Sequence, residues 1–264
     1  MRGLLPGAVC LALIAGCAAR HVAGPSPPTP DLRPPPSTAE LVSALAARRT
    51  AVRSVRAQAR LAYTSPVESR RAKQILLAAR PDRLRLEVLS PFGAVFVMTA
   101  RDGMLAAWDR GEATVYRGEA SADNLERYAH VDLPIATAVD FLLGTPPIDP
   151  TAESVIAKER GGIRLWQARD GRVRVTWFTS GLDPISFEEQ DLGGHVLLRA
   201  AFNGYADVPG GRIPTQISLE QPALQRRIDI DLRDPEVNPV LADAAFALET
   251  PPGSKEVDLD QVVN

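Results

Sequence analysis

Short segments in which apolar and polar residues alternate fill most of the chain after residue 54. In segment 82–90, DRLRLEVLS, the apolar residues Leu84, Leu86 and Val88 occupy every second position, with charged residues between them. A period of two places the two sets on opposite faces of a β-strand. Asp-Gly and Gly-Gly pairs punctuate the segments at hairpin spacing. Eleven or twelve strands are predicted, over 55–63, 72–80, 82–90, 93–101, 104–111, 153–160, 161–169, 172–180, 184–192, 195–208, 212–222 and 225–238.

An antiparallel meander of this length cannot lie flat, because strongly twisted sheets of more than about ten strands curl. We therefore expect a mainly β (α+β) fold, a strongly bent and incomplete barrel with an apolar concave face that helices cover. Only 5% of the residues are aromatic, so the concave face is predicted to be lined by aliphatic side chains. Such a lining suits acyl chains better than planar ligands.

Three helices are predicted from their capping residues. Ser37 and Glu40 have the spacing of a capping box, which opens a helix that extends to about residue 52. Ser121 suits the N-cap of a short helix over 122–130. Pro134 suits the first position of a further helix, PIATAVDFLLG, which Gly144 ends. This last helix is strongly apolar, with Asp140 as its one charge and Ile135, Val139, Leu142 and Leu143 among its apolar residues.

The N-terminus, MRGLLPGAVCLALIAGC, has one positive charge, an apolar stretch and small residues before Cys17. It is too short to span a membrane and is typical of a secretory signal. The segment Ile14-Ala15-Gly16-Cys17 resembles the bacterial lipobox, in which the cysteine carries lipid. Residues 1–16 are thus predicted to be removed, with Cys17 as the lipid attachment site. The alternative is an ordinary signal peptide in which Cys17 is incidental.

Residues 17–36 are predicted to be an acylated cysteine followed by a proline-rich tether. Seven prolines lie among the 19 residues 18–36, and such a segment extends about 3.1 Å per residue, or roughly 60 Å in all. Residues 37–264 are then expected to fold as one domain. The chain has a net charge of −2 and no basic block, so nucleic acid is not expected as a partner.

Nothing in the sequence selects an enzyme. The three histidines, His21, His130 and His195, have no partner at metal-ligand spacing, and no nucleophile elbow or phosphate-binding glycine loop is present. We expect no catalytic residue, no metal and no cofactor. Carboxylate chemistry of the glycosidase type stays open as an alternative, although the acidic residues fall on the polar positions of strands: Glu87, Asp109, Glu188, Glu189, Asp229 and Asp231.

Two segments resemble the LolA/LolB-like family of outer-membrane lipoproteins. They are SPFGAVFVMTARDG, which contains the Ser90-Pro91-Phe92-Gly93 turn, and YRGEASADNLERYAHVDLPIATAVDFLLGTPP, which contains the apolar helix. The similarity extends over about residues 55–148. The resemblance implies a half-open barrel of about eleven strands with helices as a lid. It also implies a cavity that receives lipoprotein acyl chains from a LolA-type periplasmic carrier and releases them into the outer membrane.

The resemblance also implies a role for Phe92. In the family, a leucine that projects from a loop between two strands is needed to place lipoproteins in the membrane, and Phe92 occupies the matching position. The alternative is a ring that folds back and plugs the barrel end. The cavity and lid would be formed by Leu84, Leu86, Val88, Ile135, Val139, Leu142 and Leu143, whereas a fixed core helix is the alternative to a lid.

The sequence therefore predicts a monomeric, non-enzymatic lipoprotein of the outer membrane whose domain faces the periplasm and binds acyl chains. Its expected partners are lipid or lipoprotein acyl chains, a LolA-type carrier and the outer membrane. The alternative function is a structural or assembly scaffold that uses the curved sheet to bind proteins.

Overall fold

Fourteen strands form one continuous sheet in the computed structural model, which describes residues 34–159 and 161–261. The sheet order is β14-β6-β5-β4-β3-β2-β1-β13-β12-β11-β10-β9-β8-β7, and neighbours are antiparallel except for β14 and β6. The strands are β1 Ser54–Thr64, β2 Ser69–Ala79, β3 Arg83–Ser90, β4 Gly93–Arg101, β5 Met104–Asp109, β6 Thr114–Glu119, β7 Glu153–Glu159, β8 Gly162–Arg169, β9 Arg172–Phe178, β10 Pro184–Asp191, β11 Val196–Val208, β12 Gly211–Gln221, β13 Arg226–Val237 and β14 Lys255–Asp258.

Two meanders make up this sheet. Strands β1–β6 form one and β7–β13 the other, and the pairing of β1 with β13 joins them. The predicted curled, unclosed and mainly antiparallel sheet is confirmed. The predicted strand number is too low, because β6 and β14 lack a clear alternation in sequence. Strand β14 has four residues and is held by its parallel pairing with β6.

The alternation read from the sequence separates a core face from an outer face. In β1, Val55, Ala57 and Ala59 are buried, whereas Arg56 and Gln58 between them are exposed. The same pattern continues in β13 with Ile228, Ile230 and Leu232 buried. These side chains belong to one apolar cluster to which both meanders contribute. The core face is the concave face, because the helices after β6 pack on it.

The first helix, α1 Thr38–Ala51, begins at the predicted capping box. The Ser37 hydroxyl accepts a hydrogen bond from the Glu40 amide at 3.2 Å, and the Glu40 carboxylate accepts one from the Ser37 amide at 2.6 Å. Leu41 and Leu45 are buried and Val42 is half-buried. The two leucines pack in a second apolar cluster, with residues of β8 and β9. Helix α1 therefore covers the β7–β9 part of the sheet.

Two short helices follow β6. Helix α2 Ala122–Ala129 is capped by Ser121 and ends at His130, whose φ is +57°. Helix α3 Ile135–Leu142 begins one residue after Pro134, which takes the N-cap position rather than the first helical position that was predicted. Gly144 follows α3 with φ +68°, and a Cβ atom there would lie 2.4 Å from the Pro214 ring. Glycine is thus required by both conformation and space.

The turns of the sheet fall into two sets at opposite ends of the strands. We call one the hairpin end, which has the turns 65–68, 91–92, 110–113, 170–171, 192–195 and 222–225. Helix α1 leads into β1 at the opposite end. None of the helices among the described residues is long and apolar enough to cross a membrane. The predicted signal segment 1–16, Cys17 and the tether up to residue 33 lie outside the described residues.

Candidate functional site

The predicted cavity and lid residues meet on the concave face. Leu84 is buried, and Leu86 is half-buried against the main apolar cluster. Val88 is half-buried nearer the hairpin end of β3. Helix α3 packs against β2 and β3, and its predicted apolar residues are all buried: Ile135, Val139, Leu142 and Leu143. These residues lie on neighbouring elements, and helix α3 packs on the concave face beside β2 and β3.

Helix α3 also contacts the second meander. The ring of Phe141 is fully buried, with its centroid 5.6 Å from that of Phe187 in β10 and 6.0 Å from that of Phe202 in β11. Tilted aromatic pairs at such distances add favourable contacts to the burial of their area. Since α3 packs on β2 and β3 as well, this helix connects the two halves of the curved sheet across its concave face.

A part-buried ion pair holds the C-terminal end of α3. The Asp140 carboxylate pairs with the guanidinium groups of Arg80, which follows β2, and of Arg49 in α1. Arg80 also donates to the Thr145 hydroxyl at 2.7 Å and to the Val52 carbonyl at 3.2 Å. Burial, together with the charge of Arg49, lowers the pKa of Arg80 to about 10, so Arg80 stays charged at pH 7. We call Asp140, Arg80 and Arg49 the clamp.

Aromatic contacts hold the other end of the helix pair, where α2 and α3 are connected. The His130 ring stacks on Tyr63 with centroids 4.3 Å apart, and Tyr128 lies 6.4 Å from Phe96 and 5.3 Å from Tyr116. We call these five residues the mouth aromatics. Because Tyr63 precedes the 65–68 turn and Phe96 follows the 91–92 turn, the mouth aromatics lie towards the hairpin end, and we call the region where they meet the mouth.

The electrostatics of the mouth favour uncharged rings. Burial is the main cause that lowers the pKa of His130. Burial, followed by the neighbouring Tyr116, raises the pKa of Tyr128 to about 12. An ion pair between Glu126 of α2 and Arg226 at the start of β13 lies beside these rings. Above the pKa of His130 the mouth is therefore closed by neutral aromatic contacts and one partly exposed ion pair.

Phe92 stands at the tip of the 91–92 turn, and its side chain is 86% exposed. The Ser90 hydroxyl accepts a hydrogen bond from the Phe92 amide at 3.2 Å and donates one to the Gly93 carbonyl at 2.9 Å, which closes the turn. Arg110 of the neighbouring turn donates to the Phe92 carbonyl at 3.1 Å. The ring therefore points away from the sheet and does not plug the barrel end.

The ionisable residues that were candidates for catalysis form turn hydrogen bonds or ion pairs. His195 is exposed and lies 3.0 Å from Asp191, and no cluster of three metal-ligating side chains occurs within residues 34–159 and 161–261. Asp109 accepts hydrogen bonds from the backbone of its own turn. The other candidate carboxylates form ion pairs with arginines: Glu87 with Arg85, Glu188 with Arg199, Glu189 with Arg174, Asp229 with Arg227 and Asp231 with Arg233.

Comparisons with known proteins agree on the fold. The sequence matches no family model and no curated protein. A DUF1329 family protein from Desulfovibrio piger is 12% identical with a TM-score of 0.58, covering 80% of this chain and 95% of that one. A LolA superfamily protein from Nitrosomonas europaea is 12% identical with a TM-score of 0.55, covering 78% and 97%. The fold is LolA-like.

A third solved structure agrees with this assignment. It is named as an outer membrane lipoprotein-sorting protein domain from Vibrio parahaemolyticus, and it is 12% identical with a TM-score of 0.56, covering 78% of this chain and 94% of that one. The resemblance predicted from the sequence is thus confirmed as a shared LolA-like fold.

The clamp predicts a large loss of stability for Asp140→Asn. The change leaves the part-buried Arg80 guanidinium without its carboxylate, which should cost about 2 kcal/mol or more. Urea unfolding measures the difference. The matched control is Glu236→Gln, which breaks the exposed pair with Arg56 and should cost less than about 1 kcal/mol. Equal losses in the two variants would contradict a structural role for the clamp.

The lowered pKa of His130 predicts that acid destabilises the protein. The unfolded chain binds a proton at a pKa of about 6.5, above the folded value, so stability falls as the pH decreases from above 6.5 towards the folded pKa. Because asparagine tolerates positive φ, His130→Asn should reduce the fall in melting temperature between pH 7.5 and pH 5. The control, His195→Asn, should retain it. A wild-type slope in His130→Asn would exclude His130 as the cause.

Proposed function

We propose that this protein receives the acyl chains of lipoproteins and delivers them to the outer membrane, as a non-enzymatic, monomeric receptor that is anchored through Cys17. The observation that carries the proposal is the position of Phe92 on the same end of the sheet as the mouth between α2, α3 and the strands. The shared fold with a lipoprotein-sorting domain supports it. A chain that leaves the mouth would emerge beside an apolar tip.

Binding requires the helix pair to move, because α3 fills the concave face. The clamp ties the C-terminal end of α3 through a part-buried ion pair and two further hydrogen bonds. The connection between α2 and α3 is held by ring contacts and the partly exposed pair of Glu126 with Arg226. We infer that the lid opens at the hairpin end and turns about the clamp. Leu84, Leu86, Val88 and the apolar side of α3 then face the acyl chain.

The driving force is the transfer of methylene groups between apolar surroundings. Each methylene that leaves water contributes about 0.8 kcal/mol. Handover from a LolA-type carrier therefore needs a higher affinity of this protein for the acyl chain, and it needs no cofactor. At delivery, Phe92 enters the membrane surface first and removes the gap of water between mouth and bilayer. The tether, roughly 60 Å long when extended, gives the domain the reach to meet a periplasmic carrier.

Delivery should depend on an apolar residue at position 92. A LolA-type carrier loaded with a labelled lipoprotein is mixed with the protein and then with vesicles, and the label is followed in both steps. Phe92→Glu should still take up the label but deliver it at least tenfold more slowly, because a charged side chain does not enter the acyl region. Phe92→Leu is the matched control and should retain delivery.

Two results would count against the proposal. Normal delivery by Phe92→Glu would exclude the tip. Absence of uptake by the wild type, together with absence of extractable lipid after detergent-free purification without Cys17, would favour a protein-binding scaffold.

Uptake should also depend on opening of the mouth. The two cysteines of the chain are Cys10 and Cys17, so a pair introduced as Tyr63→Cys and His130→Cys can be joined by a cleavable bis-maleimide. Joining α2 to β1 should stop uptake, and cleaving the linker should restore it. The control pair, Met104→Cys and Glu119→Cys, joins strand neighbours at the opposite end and should leave uptake unchanged. Uptake by the joined Tyr63 and His130 pair would contradict this opening.

A further inference from the structure

Exposed apolar side chains are concentrated at the hairpin end. Apart from Phe92, Val67 in the 65–68 turn is 92% exposed, Leu192 in the 192–195 turn is 79% exposed and Leu224 in the 222–225 turn is 45% exposed. The turns of Phe92, Val67, Leu224 and Leu192 join β3 to β4, β1 to β2, β12 to β13 and β10 to β11, respectively. These strand pairs are neighbours in the sheet, so the four turns follow one another along its edge. We call these four residues the apolar rim.

The opposite end of the sheet differs. Among its described turns, 80–82, 102–103, 179–183 and 209–210, none places a large apolar side chain at an exposed tip. Met104, which begins β5, and Val240, beyond β13, are the exposed large apolar residues near that end. Exposed apolar residues scattered singly are normal on soluble proteins. Four exposed apolar residues at the tips of neighbouring turns on one end of the sheet form a continuous surface.

Cations lie behind the rim on the outer face of β1 and β2. Arg60, Arg71 and Lys73 are exposed, and none forms an ion pair among the described residues. Arg60 is the direct register partner of Lys73 on β2 and of Asp231 on β13. Like charges directly opposite each other are unfavourable, and Asp231 forms its ion pair with Arg233.

The three side chains line a groove of about 670 Å³ together with Arg227, Asp229 and Asp231. The two carboxylates pair with Arg227 and Arg233, so the groove keeps an excess of positive charge. The groove leaves the three cations accessible.

The spacing of tips and cations matches the layers of a bilayer surface. A strand rises about 3.4 Å per residue, so Arg71, two residues into β2, lies about 7 Å from the turn, and Lys73 about 14 Å. The polar layer of each leaflet is about 5 to 7 Å thick. With the tips at the acyl boundary, Arg71 lies at the level of the phosphates. Lys73 and Arg60 lie farther out and can extend their long side chains towards it.

We propose that the hairpin end docks edge-on onto an anionic bilayer, with the apolar rim in the acyl boundary and Arg71, Lys73 and Arg60 facing lipid phosphates. This inference deepens the proposed function, because it gives the delivering end a surface of four tips in place of Phe92 alone. The anchor allows such docking. A proline-rich tether of 17 residues has a reach of roughly 50 Å at about 3.1 Å per residue, more than the approximately 37 Å length of an 11-residue strand.

Binding to vesicles tests the rim without lipoprotein or carrier. The chain from residue 18 to 264 lacks Cys17 and keeps the whole described sheet and core. It is sedimented with vesicles of phosphatidylcholine and phosphatidylglycerol. The variant Val67→Ser/Leu192→Ser/Leu224→Ser retains Phe92 and should bind at least tenfold more weakly. The control, Met104→Ser/Val240→Ser, should bind as the wild type does. Wild-type binding by the triple variant, or an equal loss in the control, would overturn the proposal.

The charges are tested by lipid composition. Wild type should bind vesicles that contain phosphatidylglycerol more tightly than vesicles of phosphatidylcholine alone, and salt should reduce the difference. Arg71→Gln/Lys73→Gln should lose most of this preference. The control is Arg53→Gln, an exposed arginine just before β1 at the opposite end, and it should retain the preference. A preference that is unchanged in the double variant would overturn the assignment of the cations.

The results separate this inference from the proposed function. If Phe92→Glu blocks delivery while the triple variant binds vesicles normally, the receptor proposal stands and the rim proposal is wrong. If the rim variants lose vesicle binding while wild type takes up no acyl chain, the rim stands and the receptor proposal is wrong. A wild type that dimerises in solution and becomes monomeric in the triple variant would identify the rim as a contact between copies and overturn the membrane assignment.

Discussion

The pairing of β1 with β13 is the interaction on which the rest of the structure depends. It joins Val55–Thr64 to residues about 170 positions later and converts two separate meanders into one curved sheet. Asn238, just past β13, reinforces it: its side chain accepts from the Arg53 amide at 2.8 Å and donates to the Ala51 and Gly210 carbonyls at 2.7 and 3.1 Å. Without this joint the concave face would be divided, and α3 would have no second wall to contact.

The positions of the helices follow from that joint. Helix α3 can place Phe141 against β10 and β11 while it packs on β2 and β3 because the two meanders curve towards each other. The clamp then fixes one end of the helix with a part-buried charge pair, and the mouth aromatics and the Glu126–Arg226 pair hold the other end. The ion pair of the clamp is less exposed than the Glu126–Arg226 pair beside the mouth aromatics, which is why the proposed function places the opening at the hairpin end.

Much of this architecture could be predicted from local patterns. Alternation of residues such as Leu84, Leu86 and Val88 identified strands, and the Ser37 and Glu40 capping box identified α1, because both signals act over a few residues. Sequence reasoning missed β14, which exists through its pairing with β6, and it did not predict the pairing of β1 with β13. Such contacts are non-local, so no short window of sequence contains them.

The site was predictable to a similar extent. The apolar stripe of α3 was found correctly, but apolar periodicity is the same for a core helix and for a lid. The sequence signal for the clamp was Asp140, the single charged residue in an otherwise apolar helix. The mouth aromatics had no sequence signal, since Tyr63, Tyr128 and His130 are brought together by the curvature of the sheet. The exposure of Phe92 was indicated by its Pro-Phe-Gly turn.

The burial of α3 on the concave face has a further consequence for affinity. Under the proposed function, the helix is an internal competitor for an acyl chain, because both would use the same apolar surface. The apparent dissociation constant of a ligand equals its intrinsic value divided by the fraction of molecules with the helix displaced. The proposed function therefore implies that the ion pair of Asp140 with Arg80 influences the apparent affinity for an acyl chain that it does not touch, through the fraction of molecules with the helix displaced.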